Sequence, residues 1–120
     1  MTELRDDGVF VSHIRDAIDR ISSYVQGVSE AEFMSAPLIQ DAVIRQIQIV
    51  GEAAKKLSST YIDKSPSIPW KDIAGMRDKL VHDYMGVDLA AVWDTATRDI
   101  PNLKIELERV GSSDAGSNSA

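Results

Sequence analysis

Apolar side chains recur at helical spacing along most of the chain, and nowhere alternate with polar ones as they would along a half-buried strand. Over residues 9–26, Phe10, Ile14, Ala17, Ile21 and Tyr24 fall on one stripe, which Ile18 and Val25 widen. Arg15, Asp16, Asp19 and Arg20 fall mostly on the other faces, and Gly27 is a natural C-terminal stop. Ser29 followed by Glu32 matches a capping box and opens a short helical segment that Pro37 ends or resets. Residues 38–59 form the strongest pattern. Ile39, Val43, Ile47, Val50, Ala54 and Leu57 make one stripe, and Leu38, Ala42, Ile49 and Ala53 broaden it, as expected of a central helix with two buried faces. Gly51 inside it costs about 1 kcal/mol against alanine, which points to the close approach of another backbone.

Residues 60–68, with Asp63, Ser65, Pro66 and Ser67, read as a loop. Pro69 suits the first turn of a helix, with Ser67 as a possible cap. Ile73, Met76, Leu80 and Val81 extend a helical reading over residues 70–84, which Gly86 stops. Asp88 can cap a further helix with Leu89, Val92, Trp93 and Ala96 inward; Pro101 kinks or restarts it, and Leu103, Ile105, Leu107 and Val110 continue the pattern. Residues 111–120 (GSSDAGSNSA) read as a disordered Ser/Gly-rich tail. The pattern predicts one all-α domain over residues 1–110, a four-helix up-and-down bundle with a minor extra helix. Its small size and broad central helix predict a homodimer.

Composition narrows the function classes. The 120 residues are 43% hydrophobic and 27% charged, enough for one core. No apolar run approaches the roughly 20 residues that span a bilayer, so no membrane association is expected. Charged residues through the first twenty positions argue against a signal peptide. The absence of Cys removes disulfide scaffolds, Cys-based zinc sites and thiol catalysis, and together these features predict a cytoplasmic protein. With His13 and His82 the only histidines, no metal site or cofactor is expected. A net charge of −6 disfavours broad wrapping of nucleic acid but permits a local site where a few cations meet a phosphate.

The densest polar cluster in an otherwise packed segment runs from Arg77 through Asp78 and His82 to Tyr84. Imidazole titrates near neutrality, which suits proton transfer, and a guanidinium fork binds two phosphate oxygens at once. Asp78, four residues before His82, shares its helix face, where a carboxylate would favour the protonated imidazole and help orient the ring. Arg77 and His82 would be about 140° apart, so two copies around a two-fold axis would pool them better than one chain does. On spacing alone the same residues also read as a histidine at a helix C-terminus, a surface arginine and a packed aromatic. His13, beside Ile14 and without such a cluster, reads as a surface or core-edge residue. Arg45 and Glu52, two turns apart on one face, read first as solvated or interface charges and second as supports for the site, and Lys55 and Lys56 as a solvated face.

The order of these motifs carries a resemblance. Ile68-Pro69-Trp70, Ile73-Ala74-Gly75-Met76-Arg77-Asp78, Leu80-Val81-His82-Asp83-Tyr84 and Val87-Asp88 resemble the HepT-like branch of the HEPN superfamily. So do Ile49-Val50-Gly51-Glu52-Ala53-Ala54 before them and Val92-Trp93 after them. The resemblance covers roughly residues 9–110. It implies a helical bundle that dimerises and brings two Arg-x4-His motifs into one cleft, with Arg77 and His82 catalytic. It implies a metal-independent endoribonuclease acting on RNA, the toxin of a type VII-like toxin–antitoxin pair. The partner it implies is an MntA-like minimal nucleotidyltransferase antitoxin that neutralises the toxin by AMPylation of Tyr84, within Arg77-x4-His82-Asp83-Tyr84. Many relatives carry Asn where this chain has Asp78, a carboxylate that would either support and tune His82 or weaken RNA binding by repulsion. The alternative from another class is a non-catalytic helical module that binds a nucleotidyltransferase.

Overall fold

A computed structural model describes the backbone of residues 2–82 and 86–119, and the side chains of residues 6–81 and 86–111. Its helices are α1 (Thr2–Val25), α2 (Glu30–Met34), α3 (Pro37–Lys55), α4 (Ser59–Lys64), α5 (Trp70–Ala74), α6 (Met76–Leu80), α7 (Leu89–Asp94) and α8 (Ile100–Ser119). A π-helical turn, Thr95–Asp99, joins α7 to α8. Two short strands, β1 (Val81–His82) and β2 (Gly86–Val87), lie between α6 and α7. The fold is all-α apart from this small hairpin. α3 is the hub: it packs along α1 and also meets α2, α5, α6 and α7, while α8 closes against α1.

The stripes read from the sequence form the core. Ile14, Ala17, Ile18 and Ile21 of α1 meet Val43, Ile47, Val50 and Ala54 of α3, and Val92, Ala96, Ile100, Leu103 and Leu107 complete the interior. Phe33 is fully buried and tilts against Trp93, with ring centroids 5.2 Å apart. Leu38 departs from the expected broad burial, being 86% exposed at the start of α3.

The caps follow the sequence. The Ser29 hydroxyl accepts from the Glu32 N–H and the Glu32 carboxylate accepts from the Ser29 N–H, which completes the capping box. The Ser29 backbone N–H, and then its side chain, hold the Glu32 carboxyl below its ordinary range. Its contribution is therefore present above the unfolded carboxyl's titration and is lost only as pH falls through the lowered value. Pro37 stands at the first turn of α3, and Asp88 caps α7 by accepting from the Ala91 N–H at 3.0 Å.

Three local differences have physical causes. The segment read as a loop contains α4, because the Ser58 hydroxyl caps it at the Tyr61 N–H and is itself held by a residue far away in sequence. Asp7 of α1, almost fully buried, accepts from the Ser58 N–H at 2.8 Å and from the Ser58 hydroxyl. Asp7→Ala should therefore destabilise the protein by about 1–3 kcal/mol, read as a lower urea midpoint, because it orphans both donors. The second difference is that residues 70–84 are not one helix. It breaks at Gly75 between α5 and α6 and ends at Leu80, where Val81 turns extended at φ −116°, ψ 118°. The chain returns through Gly86, whose φ of +79° lies in the left-handed region that favours glycine, so that Val81 pairs with Val87 and His82 with Gly86. Third, Pro101 does not interrupt the last helix. A proline here lacks an N–H and crowds the carbonyl four residues back, and the wide turn at Thr95–Asp99 sits where that strain falls. The backbone of α8 is helical to Ser119.

Candidate active site

The close approach anticipated at Gly51 is made by α5. A methyl group on Gly51 would stand 3.3 Å from the Ala74 carbonyl oxygen and 3.5 Å from that of Ile73. The last turn of α5 thus lies directly on α3, and the break at Gly75 sends α6 off from this contact. Arg77, in the first turn of α6, falls at the edge of the resulting seam.

There Arg77 lines a groove of about 230 Å³ with Ala74 and Asp78 on one wall and Gln48, Gly51, Glu52 and Lys55 of α3 on the other. The Arg77 side chain is 41% exposed, yet its Nε is buried and lacks a hydrogen-bond partner among the described residues. Its one ion pair among the described residues is a loose contact, Nη1 to Asp78 Oδ1 at 3.7 Å, with Asp78 largely in solvent. Such a pair is worth little. Among the described residues, the Nη groups of the guanidinium therefore remain largely open to an incoming anion, while the buried Nε does not face solvent. Across the groove, Gln48 Nε2 donates to Glu52 Oε1 at 3.2 Å.

His82 follows α6 directly. Its backbone lies on β1, opposite Gly86, and the Asp88 N–H donates to the Leu80 carbonyl at 2.9 Å to close the base of the hairpin. The expected helical relation between Asp78 and His82 does not hold, because α6 ends at Leu80. Asp78 instead stands beside Arg77. The 140° separation of Arg77 and His82 around one helix lapses for the same reason. Tyr84 lies outside the described residues.

Of the other residues weighed from sequence, His13 is exposed on α1 with its ring edge-on to Phe10 at 6.3 Å, apart from the groove. Arg45 is an exposed residue outside the groove lining, whereas Glu52 lies in it. Lys55 and Lys56 part company. Lys56 stands 5.6 Å from the centre of the Phe10 ring, while Lys55 turns into the groove. Sequence reasoning missed Gln48 and Lys55 as partners of Arg77. The available signal was the polar stripe Gln48, Glu52, Lys55 at i, i+4, i+7 around Gly51. Among the described residues no cluster of His, Cys, Asp and Glu is arranged to hold a metal ion, and no helix is long and apolar enough to cross a membrane. A larger cavity, about 370 Å³, lies on the opposite side of α5 and α6 against the π-helical turn and α8 and does not include Arg77.

The family described as Ribonuclease HepT-like matches residues 14–110, a span that holds the groove and the whole Arg77-x4-His82-x-Tyr84 motif. The chain belongs to the HepT-like ribonuclease family. Its HepT-like relatives include a Methanocaldococcus jannaschii protein provisionally named an RNase, 42% identical over 106 residues, which span 88% of this chain and 91% of that protein. A Thermococcus cleftensis protein named a probable ribonuclease HepT is 38% identical over 101 residues, 84% of this chain and 92% of its own. A further M. jannaschii protein, named a gamma-glutamylcyclotransferase and provisional RNase, is 41% identical over 106 residues. The match covers 88% of this chain but 48% of that relative, so this chain spans about half its length. No solved structure matches the chain significantly.

Proposed function

We propose that this HepT-like chain is a metal-independent endoribonuclease that works as a cytoplasmic homodimer, the toxin of a type VII-like toxin–antitoxin pair. One observation carries the reading: the Arg77 guanidinium sits in a groove where, among the described residues, its buried Nε has no partner and its one ion pair, to Asp78, is loose. A cation kept this open at a helix start suits a phosphodiester. His82 follows it on the next element.

The RNA supplies its own nucleophile. His82 takes the proton of a ribose 2′-hydroxyl as the 2′-oxygen bonds to the adjacent phosphorus. Arg77 stabilises the extra negative charge on the five-coordinate phosphorus. The bond from phosphorus to the 5′-oxygen then breaks. That oxygen receives a proton from the second subunit's His82, and the products are a 2′,3′-cyclic phosphate and a 5′-hydroxyl. The cleft is completed by two-fold pairing of the faces that carry α6, so light scattering at micromolar concentration should give twice the chain mass. A monomer would remove the shared cleft.

Neutralisation is assigned to Tyr84, two residues after His82. A cognate MntA-like nucleotidyltransferase transfers AMP from ATP: the phenolic oxygen bonds to the α-phosphorus, pyrophosphate leaves and the phenolic proton goes to solvent. The added phosphate repels RNA from the cleft and the nucleotide fills it. With ATP, Mg²⁺ and that partner, intact mass spectrometry should show one or more AMP units on the parent and none on Tyr84→Phe, which should still cleave RNA and escape neutralisation. AMP addition that survives Tyr84→Phe would move the modified site elsewhere.

The test of the activity is RNA cleavage by the purified protein in EDTA, compared with His82→Ala. Cleavage lost in the variant supports the reading. RNA left intact by the parent protein returns the chain to the other class, a non-catalytic helical partner of a nucleotidyltransferase.

A further inference from the structure

The wall of the groove facing Arg77 belongs to α3, and its side chains have complementary chemistry. Lys55 is exposed at the last residue of α3, lines the groove and has no ion-pair partner among the described residues. Glu52, one turn earlier, is held through one carboxylate oxygen by Gln48 at 3.2 Å, which leaves the other oxygen as an acceptor. The groove holds two carboxylates, Asp78 beside Arg77 and Glu52 on the α3 wall; both repel an anion, so attraction for phosphate alone does not account for Glu52. A groove that receives a sugar beside its phosphate gains from a fixed acceptor between two cations. The 2′-hydroxyl is the ribose group that can donate there, and it is what separates RNA from DNA. The three-residue rise from Glu52 to Lys55, about 4.5 Å along the helix axis, is commensurate with one step from sugar to phosphate.

We infer that Lys55 and Glu52 form a ribose–phosphate subsite beside Arg77, in which Lys55 binds a backbone phosphate next to the scissile one and Glu52 accepts a hydrogen bond from a ribose 2′-hydroxyl. This rests on the ribonuclease reading and goes beyond it, since neither residue takes part in the bond-breaking step. On a chain of net charge −6, such a local pair supplies attraction that the overall field does not.

The neighbouring lysine provides the control. Lys55 and Lys56 carry the same charge at the same end of α3, but Lys56 lies toward Phe10. Binding is read by fluorescence anisotropy with a labelled single-stranded 12-mer RNA and its 2′-deoxy counterpart in EDTA, on a His82→Ala background that keeps the RNA intact. Lys55→Gln should weaken RNA and DNA alike, each about fivefold, and lower the salt slope by about 0.7, the value for one phosphate contact on a single strand. Lys56→Gln should change neither. Glu52→Ala should weaken RNA about fivefold toward the DNA value and so abolish the preference for ribose. Equal losses in Lys55→Gln and Lys56→Gln would reduce the effect to general charge and overturn the phosphate contact. An unchanged RNA-to-DNA ratio in Glu52→Ala would overturn the ribose contact. Cleavage by the protein with His82 intact is measured alongside. If RNA binds with this pattern but is not cut, the catalytic reading fails and the subsite stands; if RNA is cut but Lys55→Gln binds like Lys56→Gln, the subsite fails and catalysis stands. If the protein binds neither strand, both are overturned.

Discussion

His82→Ala should slow RNA cleavage by about 10²–10⁴-fold, the usual contribution of a positioned general acid or base, and by more if each subunit's imidazole serves one half of the proton traffic. Arg77→Ala should lose about 10²–10³-fold, the usual cost of removing one charge-stabilising donor. Neither change should unfold the protein. The Arg77 side chain is half-exposed and makes only a loose contact with Asp78, and His82 lies beyond the end of α6 rather than in a packed helix. Far-ultraviolet circular dichroism and the melting temperature should therefore match the parent. The two variants are separable by pH. The rate of Arg77→Ala should keep the parental pH profile, whereas His82→Ala should lose the limb that reports the imidazole. Parental rates in either variant would refute its catalytic role.

The second large effect is expected where no reacting group is present. Gly51→Val puts a branched side chain where a single methyl already stands 3.3 Å from the Ala74 carbonyl oxygen. Backbone lies on the other side, so the relief available is to push α5 away from α3. Overpacking of this kind costs about 1–3 kcal/mol. The same displacement carries Arg77 away from Gln48, Glu52 and Lys55, because α6 continues from α5. Cleavage should fall at least tenfold even in the fraction that remains folded, since small misplacements of a catalytic group are expensive. Gly51→Ala is the graded control: its methyl needs a shift of only a few tenths of an ångström, offset by a helix-propensity gain of about 1 kcal/mol. A Gly51→Val protein with parental stability and rate would show that the α3–α5 contact does not position Arg77.

Gly51 also illustrates what sequence can carry. A glycine inside a strong helical stripe costs stability locally, so its presence implied a neighbour, and the neighbour is there. α1 and α3 were readable because each repeats its apolar positions over several turns, and the Ser29 and Asp88 caps because both are local hydrogen bonds. α4 was not readable. The anchor of its cap is Asp7, fifty-one residues earlier. The hairpin was not readable either, because strands of two residues have no period to detect, and Ile73, Met76 and Leu80 fit a helix well enough to carry the reading past its end. The candidate site divides in the same way. Arg77 and His82 were named by their chemistry and by a resemblance. On the opposite wall Lys55 was missed because Lys55 and Lys56 look alike in sequence and are told apart only by which neighbour each faces, the groove or Phe10.

The π-helical turn at Thr95–Asp99 bears on how chains of this kind can change length. A wide turn of this sort holds one residue more than an α-helical turn covering the same rise, so it takes up an insertion without rotating the flanking helices out of phase. Val92 before it, Ala96 within it, and Leu103 and Leu107 after it all remain in the core. Deleting a single residue, Thr97 for example, would restore ordinary α spacing and keep both faces inward. The proline two residues past the turn would then clash with an unwidened ladder. The extra residue and Pro101 are thus a linked pair, to be gained or lost together. A chain one residue shorter here should carry a different residue at the position of Pro101.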